Sequence, residues 1–344
     1  PATAQTLADS FANLLKTAPA DTHRVTLLTE LAWEINESET DLADSKIQEA
    51  IALAQKLGFK QGEATAWNGL GVVEEVRGNY RKAIEHYEKA LMLRQALVDQ
   101  RGVAGIHTNL GNAYESLGEF PAAISHHRES LTAYESLKDT LRMARAYSNI
   151  SSVLALGGAY PEAFGELNKA RLLLENQGDV RTTFKIYTQI GHNRFDLDMF
   201  LKARDWYEKS LLLRQQSGDP VDIADGLVDL GNALDELEHI DSSRLAVQYF
   251  QQALTIYRAE DDQPSIGLVC NNLGDGLKHL EQFDEAMKYL RESERIRQEM
   301  DDEPGLMETY NTLNDVLFRQ GKTLESLEYI RRYADIADKI GNKN

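Results

Sequence analysis

Apolar and small residues recur along this chain at helical spacing, and the recurrence itself repeats. In the segment NLGNAYESLGEFPAA, residues 109–123, Leu110-Gly111 is followed by Tyr114, Gly118 interrupts the run, and a new run opens at Phe120-Pro121. Positions three or four residues apart share one side of a helix. Proline suits the start of the second run, where its missing N–H has no intrahelical partner to lose. The segment predicts two helices joined by a tight turn. The register returns at Leu70-Gly71, Ile150-Ser151, Ile190-Gly191, Leu230-Gly231, Leu273-Gly274 and Leu313-Asn314, with a step of 40 residues at every interval but one.

Other positions keep the same beat. A small residue recurs at Ala83, Ala123, Ala163, Ala203, Ala246, Ala286 and Ser326, which lets paired helices approach closely. Tyr80, Phe120, Tyr160, Phe200 and Phe283 open the second helices. Asp99, Asp139, Asp179 and Asp219 precede the first helices, where a carboxylate accepts from unpaired N–H groups and faces the positive end of the helix dipole. Gly178 and Gly218 fit the position just past a helix end. Ala246 follows Gly231 by fifteen positions instead of twelve, so Glu238–Arg244 is expected to lengthen a turn by three. Residues 3–16 place Leu7, Phe11, Leu14 and Leu15 on one stripe, predicting a capping helix before the first unit. The last helix, Thr323–Ile340, carries Leu324, Leu327, Ile330, Ile336 and Ile340. A solenoid end needs a polar cap, so this helix predicts self-association or continuation of the chain.

Helices of about 17 residues, repeated without a strand-like run, predict an all-α solenoid. Its predicted parts are a capping helix over 1–20 and units near 21–58, 59–98, 99–138, 139–178, 179–218, 219–261, 262–301 and 302–344. Trp67, Leu70, Gly71, Tyr80, Ala83, Tyr87 and Ala90 resemble the tetratricopeptide repeat, with a period of 40 in place of the usual 34. The Leu-Gly-Asn triplets at 110–112 and 230–232 are similar to those of Leu-Gly-Asn-repeat adaptors, and bacterial signalling proteins carry comparable long arrays. The resemblance implies a right-handed superhelix of about eight hairpins whose first helices line a concave groove. It implies a non-enzymatic scaffold for an extended or helical peptide. The alternative is a sensory or regulatory module cut from a larger signal-transduction protein, which the absence of an initiator Met at Pro1 would fit.

Composition narrows the partners. At 42% hydrophobic and 27% charged the chain reads as folded. A formal net charge of −18 without Lys/Arg clusters argues against nucleic acid, and no apolar run reaches membrane-helix length. No phosphate loop, zinc-protease helix or nucleophile elbow appears, so neither cofactor nor metal is expected. His126 and His127 are adjacent, about 100° apart on a helix, and cannot share one ion. Cys270, the single cysteine, sits among Leu268, Val269 and Leu273 as a core residue and leaves the compartment open.

The residues expected to face the groove come from the resemblance. Asn68, Asn109, Asn149, Asn271, Asn272 and Asn311 precede the glycine position; Asn112, His192, Asn232 and Asp275 follow it. An amide both donates to and accepts from a peptide backbone, and asparagine recurs here despite its poor helix propensity. Arg145 and Lys185 place positive charge centrally, Glu75 and Glu115 lie to one side, and Asp225, Asp235, Glu236 and Asp275 to the other. A peptide with an acidic centre and basic ends would complement that order.

Overall fold

The computed structural model describes residues 2–175 and 179–341, and among these it contains seventeen α-helices and no strand. They form two compact units, residues 1–177 and 178–344, each taken here by itself. The first holds α1 (Ala2–Leu15) and four helix pairs. These are α2 (Thr22–Ile35) with α3 (Thr40–Leu57), α4 (Lys60–Val76) with α5 (Tyr80–Ala96), α6 (Gln100–Ser116) with α7 (Phe120–Ser136), and α8 (Thr140–Leu156) with α9 (Tyr160–Leu174). The second holds α10 (Val180–Phe195) with α11 (Phe200–Ser217), and α12 (Pro220–Asp235) with α13 (Ile240–Ala259). It continues with α14 (Gln263–His279) and α15 (Phe283–Glu299), then α16 (Glu303–Arg319) and α17 (Thr323–Gly341). Each helix packs on its sequence neighbours within its unit. First helices also pack on first helices: α2 on α4, α10 on α12, α12 on α14, and α14 on α16.

The repeated small residues are where the two helices of a pair close. A Cβ added at Gly71, Gly191 or Gly231 would lie 2.3–2.4 Å from the ring of Tyr87, Tyr207 or Phe250 on the second helix. At Gly111 the ring pressed against the glycine is the imidazole of His127, and at Gly274 the side chain is Leu290. Ala83, Ala123, Ala163, Ala203, Ala246 and Ala286 are fully buried. The helix starts are capped as the sequence predicts: Asp99, Asp139, Asp179 and Asp219 accept from backbone N–H groups of the first turn, and Asp21, Asp262 and Asp302 do the same. Each cap is worth about 1 kcal/mol. Gly218 ends α11 in the left-handed conformation; Gly178 lies outside the described residues.

Two expectations change, and the turns show a further feature. In α1, Leu7 and Leu14 are 49% and 50% exposed. The packed face is Ala8, Phe11, Ala12 and Leu15, because two alanines allow a closer approach than a leucine stripe. The three extra residues near 238–244 lengthen a helix rather than a turn: α13 has 20 residues where α5, α7 and α15 have 17. Its added first turn is anchored by His239, which accepts from the Asp241 N–H, and by buried Ser243. Finally, the left-handed turn position is not reserved for glycine. Gly58, Gly78, Gly118 and Gly158 occupy it, but so do Val98, Lys138, Asp198, Glu238, Asp261, Glu281 and Asp301, at φ between 50° and 58°.

Candidate functional site

In the first unit, Arg142, Arg145 and Asn149 share one face of α8, spaced three and four residues apart. They look across a cleft of about 280 Å³ at Thr108 and Asn109 of α6, with Tyr134 of α7 forming part of the lining. Gly105 keeps the α6 side open, since a Cβ there would touch nothing. Arg142 is braced: Nη1 donates to the Tyr134 hydroxyl at 3.4 Å, and Nε lies 3.4 Å from Asp139. Arg145 is exposed at the rim and Asn149 is half-buried. Asn109 donates through Nδ2 to Asn68 Oδ1 at 2.9 Å, so two of the expected amides form a bridge from α4 to α6. The Thr108 hydroxyl is taken up internally by Ser130 at 2.8 Å. Asn112 is exposed on α6 and does not line the cleft. Guanidinium and amide N–H groups converging on one cleft suit a carboxylate or phosphate.

Burial pushes the carboxyls of Glu75 and Glu115 above the usual carboxylate range. His126 and His127 point apart, as their adjacency requires. His126 Nδ1 lies 3.0 Å from His107 Nδ1, with its ring stacked on Tyr114. His127 is fully buried, and neither of its ring nitrogens has a hydrogen-bond partner.

In the second unit, polar side chains tie successive first helices together. His192 Nε2 lies 3.3 Å from Asp229 Oδ1, and Asn272 donates to Asn232 at 2.9 Å. His279 Nδ1 lies 3.2 Å from Asp235 Oδ1. Lys278 bridges Asp275 and Asp315, the latter at 3.7 Å. Asp225 accepts from the Tyr257 hydroxyl at 2.6 Å and lies 3.7 Å from Arg214. Two of the acids expected to receive basic ligand groups, Asp225 and Asp275, thus already face Arg214 and Lys278 of this chain, and Asp235 meets His279. Glu236 is exposed, and burial together with Asp235 and Asp275 raises its carboxyl above the ordinary range. Lys185 and Asn311 are exposed, whereas Asn271 keeps a buried Oδ1 without a partner. Cys270 is fully buried and its thiol is pushed up to about 12, chiefly by burial, so it is a core residue.

Several residues escaped the sequence reading. Arg142 and Tyr134 belong to the first-unit cleft. His279, which that reading left out, joins Asp235 and Asp275 to bring three potential metal-ligating atoms within 4.8 Å of one another, but Asp275 already pairs with Lys278 and Asp235 lies within hydrogen-bond distance of His279. Arg214 and Arg297 are almost wholly buried. Arg214 reaches Thr188 and the Asp222 carbonyl, and Arg297 reaches Thr309 and the Gly305 carbonyl. The repeat period was the available signal, because Arg94, Tyr134, Arg214, Tyr257 and Arg297 occupy one equivalent position.

Family models described as tetratricopeptide repeats match residues 64–96, 102–176 and 268–299. No curated protein matches the chain by sequence. Among solved structures, a STAND ATPase with a tetratricopeptide repeat sensor from Pyrococcus horikoshii aligns with 98% of this chain and 51% of its own length, at 15% identity and a TM-score of 0.70. The apo form of RapI aligns over 81% of this chain and 99% of its own, at 15% identity and a TM-score of 0.64. A Rap protein complexed with competence and sporulation factor aligns over 94% and 100%, at 14% identity and a TM-score of 0.57. Identities this low carry the fold alone. With three matching models on the repeat register built from Leu70-Gly71 onward, the chain is a tetratricopeptide-repeat protein.

Proposed function

We propose that the chain is a non-enzymatic scaffold that holds an extended or helical peptide against its first helices, and that the first-unit cleft receives an acidic group of that peptide. Repeats of this family are generally non-catalytic interaction modules. The observation that carries the reading is the convergence of Asn109, Arg145 and Asn149, three of the residues singled out from sequence, on one cleft with Arg142. An arginine fork with the flanking Asn149 amide holds a carboxylate in a fixed orientation, which a lone lysine does not. The reading is supported by the Rap protein of similar fold, solved in complex with competence and sporulation factor. Fluorescence polarisation with labelled acidic decapeptides tests the reading. The tightest peptide should lose at least about tenfold in affinity to R145E and to N149A, and unchanged affinity in both would refute it.

A sensory module within a larger signalling protein is a second reading, favoured by the alignment of 98% of this chain with about half of the STAND ATPase. The reading frame around the segment tests it: a nucleotide-binding domain in that frame supports it, and a frame without one refutes it. The exposed face of α17 and the end of α16 supports self-association. Phe318, Leu324, Leu327 and Ile330 are 65%, 85%, 48% and 48% exposed, and an apolar face of this kind marks an interaction surface.

A further inference from the structure

We infer that His107 of α6 and His126 of α7 form a binding site for a divalent transition cation of the copper–nickel class, with the carboxylate of Glu129 as its third ligand. The inference does not rest on the peptide reading. The two Nδ1 atoms lie 3.0 Å apart, a separation that two metal–nitrogen bonds of about 2.1 Å span at roughly a right angle. Nitrogen donors at a right angle suit the square-planar or octahedral shells of Cu(II) and Ni(II) better than the wider tetrahedral angle of Zn(II). In their mutual hydrogen bond one ring donates and the other accepts, so one Nδ1 lone pair is already in place. Moving the donor's proton to Nε2 frees the second lone pair, and the cation takes the place of the bridging proton. His126 is held in position by stacking on Tyr114, with ring centres 5.3 Å apart. Both imidazoles are half-buried rather than enclosed.

The repeat register makes this pair a departure. Trp67, Tyr147 and Tyr187 take the place of His107 in other hairpins, and His86, Glu166 and Trp206 take that of His126. One turn further along the second helix, each of those hairpins sets its own cation against a ring. Lys89 stands 4.2 Å from the centre of the Trp67 ring, Lys169 5.4 Å from that of Tyr147, and Lys209 4.2 Å from that of Trp206. In the α6–α7 hairpin that position is Glu129. An aromatic face with a built-in ammonium is thus replaced by two imidazole donors and a carboxylate, a donor set for a transition metal. Glu129 is exposed and stands one turn from His126 on the same side of α7. Its charge acts on both rings. The neighbouring Arg128 turns to Glu166 instead, at 3.9 Å.

Isothermal titration of the untagged chain with nickel chloride reads the site, and the electron paramagnetic resonance spectrum of the Cu(II) complex counts its nitrogens. Ni(II) should bind at one site per chain, and the Cu(II) spectrum should carry the couplings of two imidazoles. H107W restores the ring found in the Trp67–His86 hairpin, and H126F keeps an aromatic ring on Tyr114. Each should weaken Ni(II) by at least about tenfold, as loss of a ligand does, and each should remove one nitrogen coupling. E129K restores the lysine of the other hairpins at an exposed position and should weaken binding several-fold through repulsion of the cation. It decides the matter if neither histidine variant folds. H279Q, in the Asp235–Asp275–His279 cluster of the second unit, should bind Ni(II) as the parent does. Absence of Ni(II) binding, affinity unchanged in E129K or in a folded H107W or H126F, or loss of binding in H279Q overturns the site.

Discussion

His127 makes this protein acid-sensitive at one identifiable place. Its ring fills the position held by Tyr87, Tyr207 and Phe250 in other hairpins, pressed on Gly111 and fully buried. Neither ring nitrogen is satisfied, and Glu115 stands 4.0 Å from Nε2, too far for a hydrogen bond. Burial, with a smaller contribution from His126, pushes the imidazole down to about 4. An unfolded histidine titrates near 6.5, so below that pH the unfolded chain takes up a proton that the folded hairpin refuses. The stability is therefore complete above about pH 6.5 and is lost as pH falls towards 4. At about 1.4 kcal/mol per pH unit, the loss attributable to this one residue reaches about 2 kcal/mol at pH 5. H127F removes the titration and retains the shape, since Phe250 already sits on Gly231 with the same 2.4 Å approach. Hydrogen exchange of the α6 and α7 amides, read from pH 7.5 to 5, gives the local opening free energy. H127F should exceed the parent by about 1 kcal/mol or more at pH 7.5, because no buried polar atom is left unpaired, and the gap should widen by about 2 kcal/mol by pH 5. Parallel curves for the two proteins would refute the reasoning.

His279 should show the opposite sign: its hydrogen bond to Asp235 raises it above its ordinary value, so the stability it adds is present below about pH 6.5 and disappears as pH rises through the raised value. Urea titrations of H279Q and the parent should diverge in acid and converge in alkali. Val98, a β-branched residue at φ 55° and 80% exposed, is strained where glycine would not be, and V98G should raise stability by about 1 kcal/mol in thermal unfolding. G191A drives a methyl into the Tyr207 ring and should cost about 1–3 kcal/mol in the same assay. Sedimentation at rising concentration should show association of the parent and a monomer for L327D/I330D, if the α17 face is where copies meet.

The fold was legible because it is written once per repeat. Leu110-Gly111 against Ala123, with Phe120 opening the second helix, is a packing rule that later units restate, so errors at one position are corrected by the others. Function is written only where units depart from the rule, and a departure is read one residue at a time. Asn68 and Asn109 looked like two ligand contacts, yet they satisfy each other across 41 positions of sequence. Their helices lie side by side, which no local periodicity states. A similar separation, 44 positions, hid the Asp235–His279 pair. Arg145 and Asn149 were found because they stand on the same helix face as Asn109 on its own; Tyr134 was missed because it comes from a second helix, outside the family's expected lining. In a repeat protein the periodic residues specify the scaffold, and ligand chemistry is to be sought where charge or an unpaired amide breaks the period. The Arg142–Arg145 cleft is such a break.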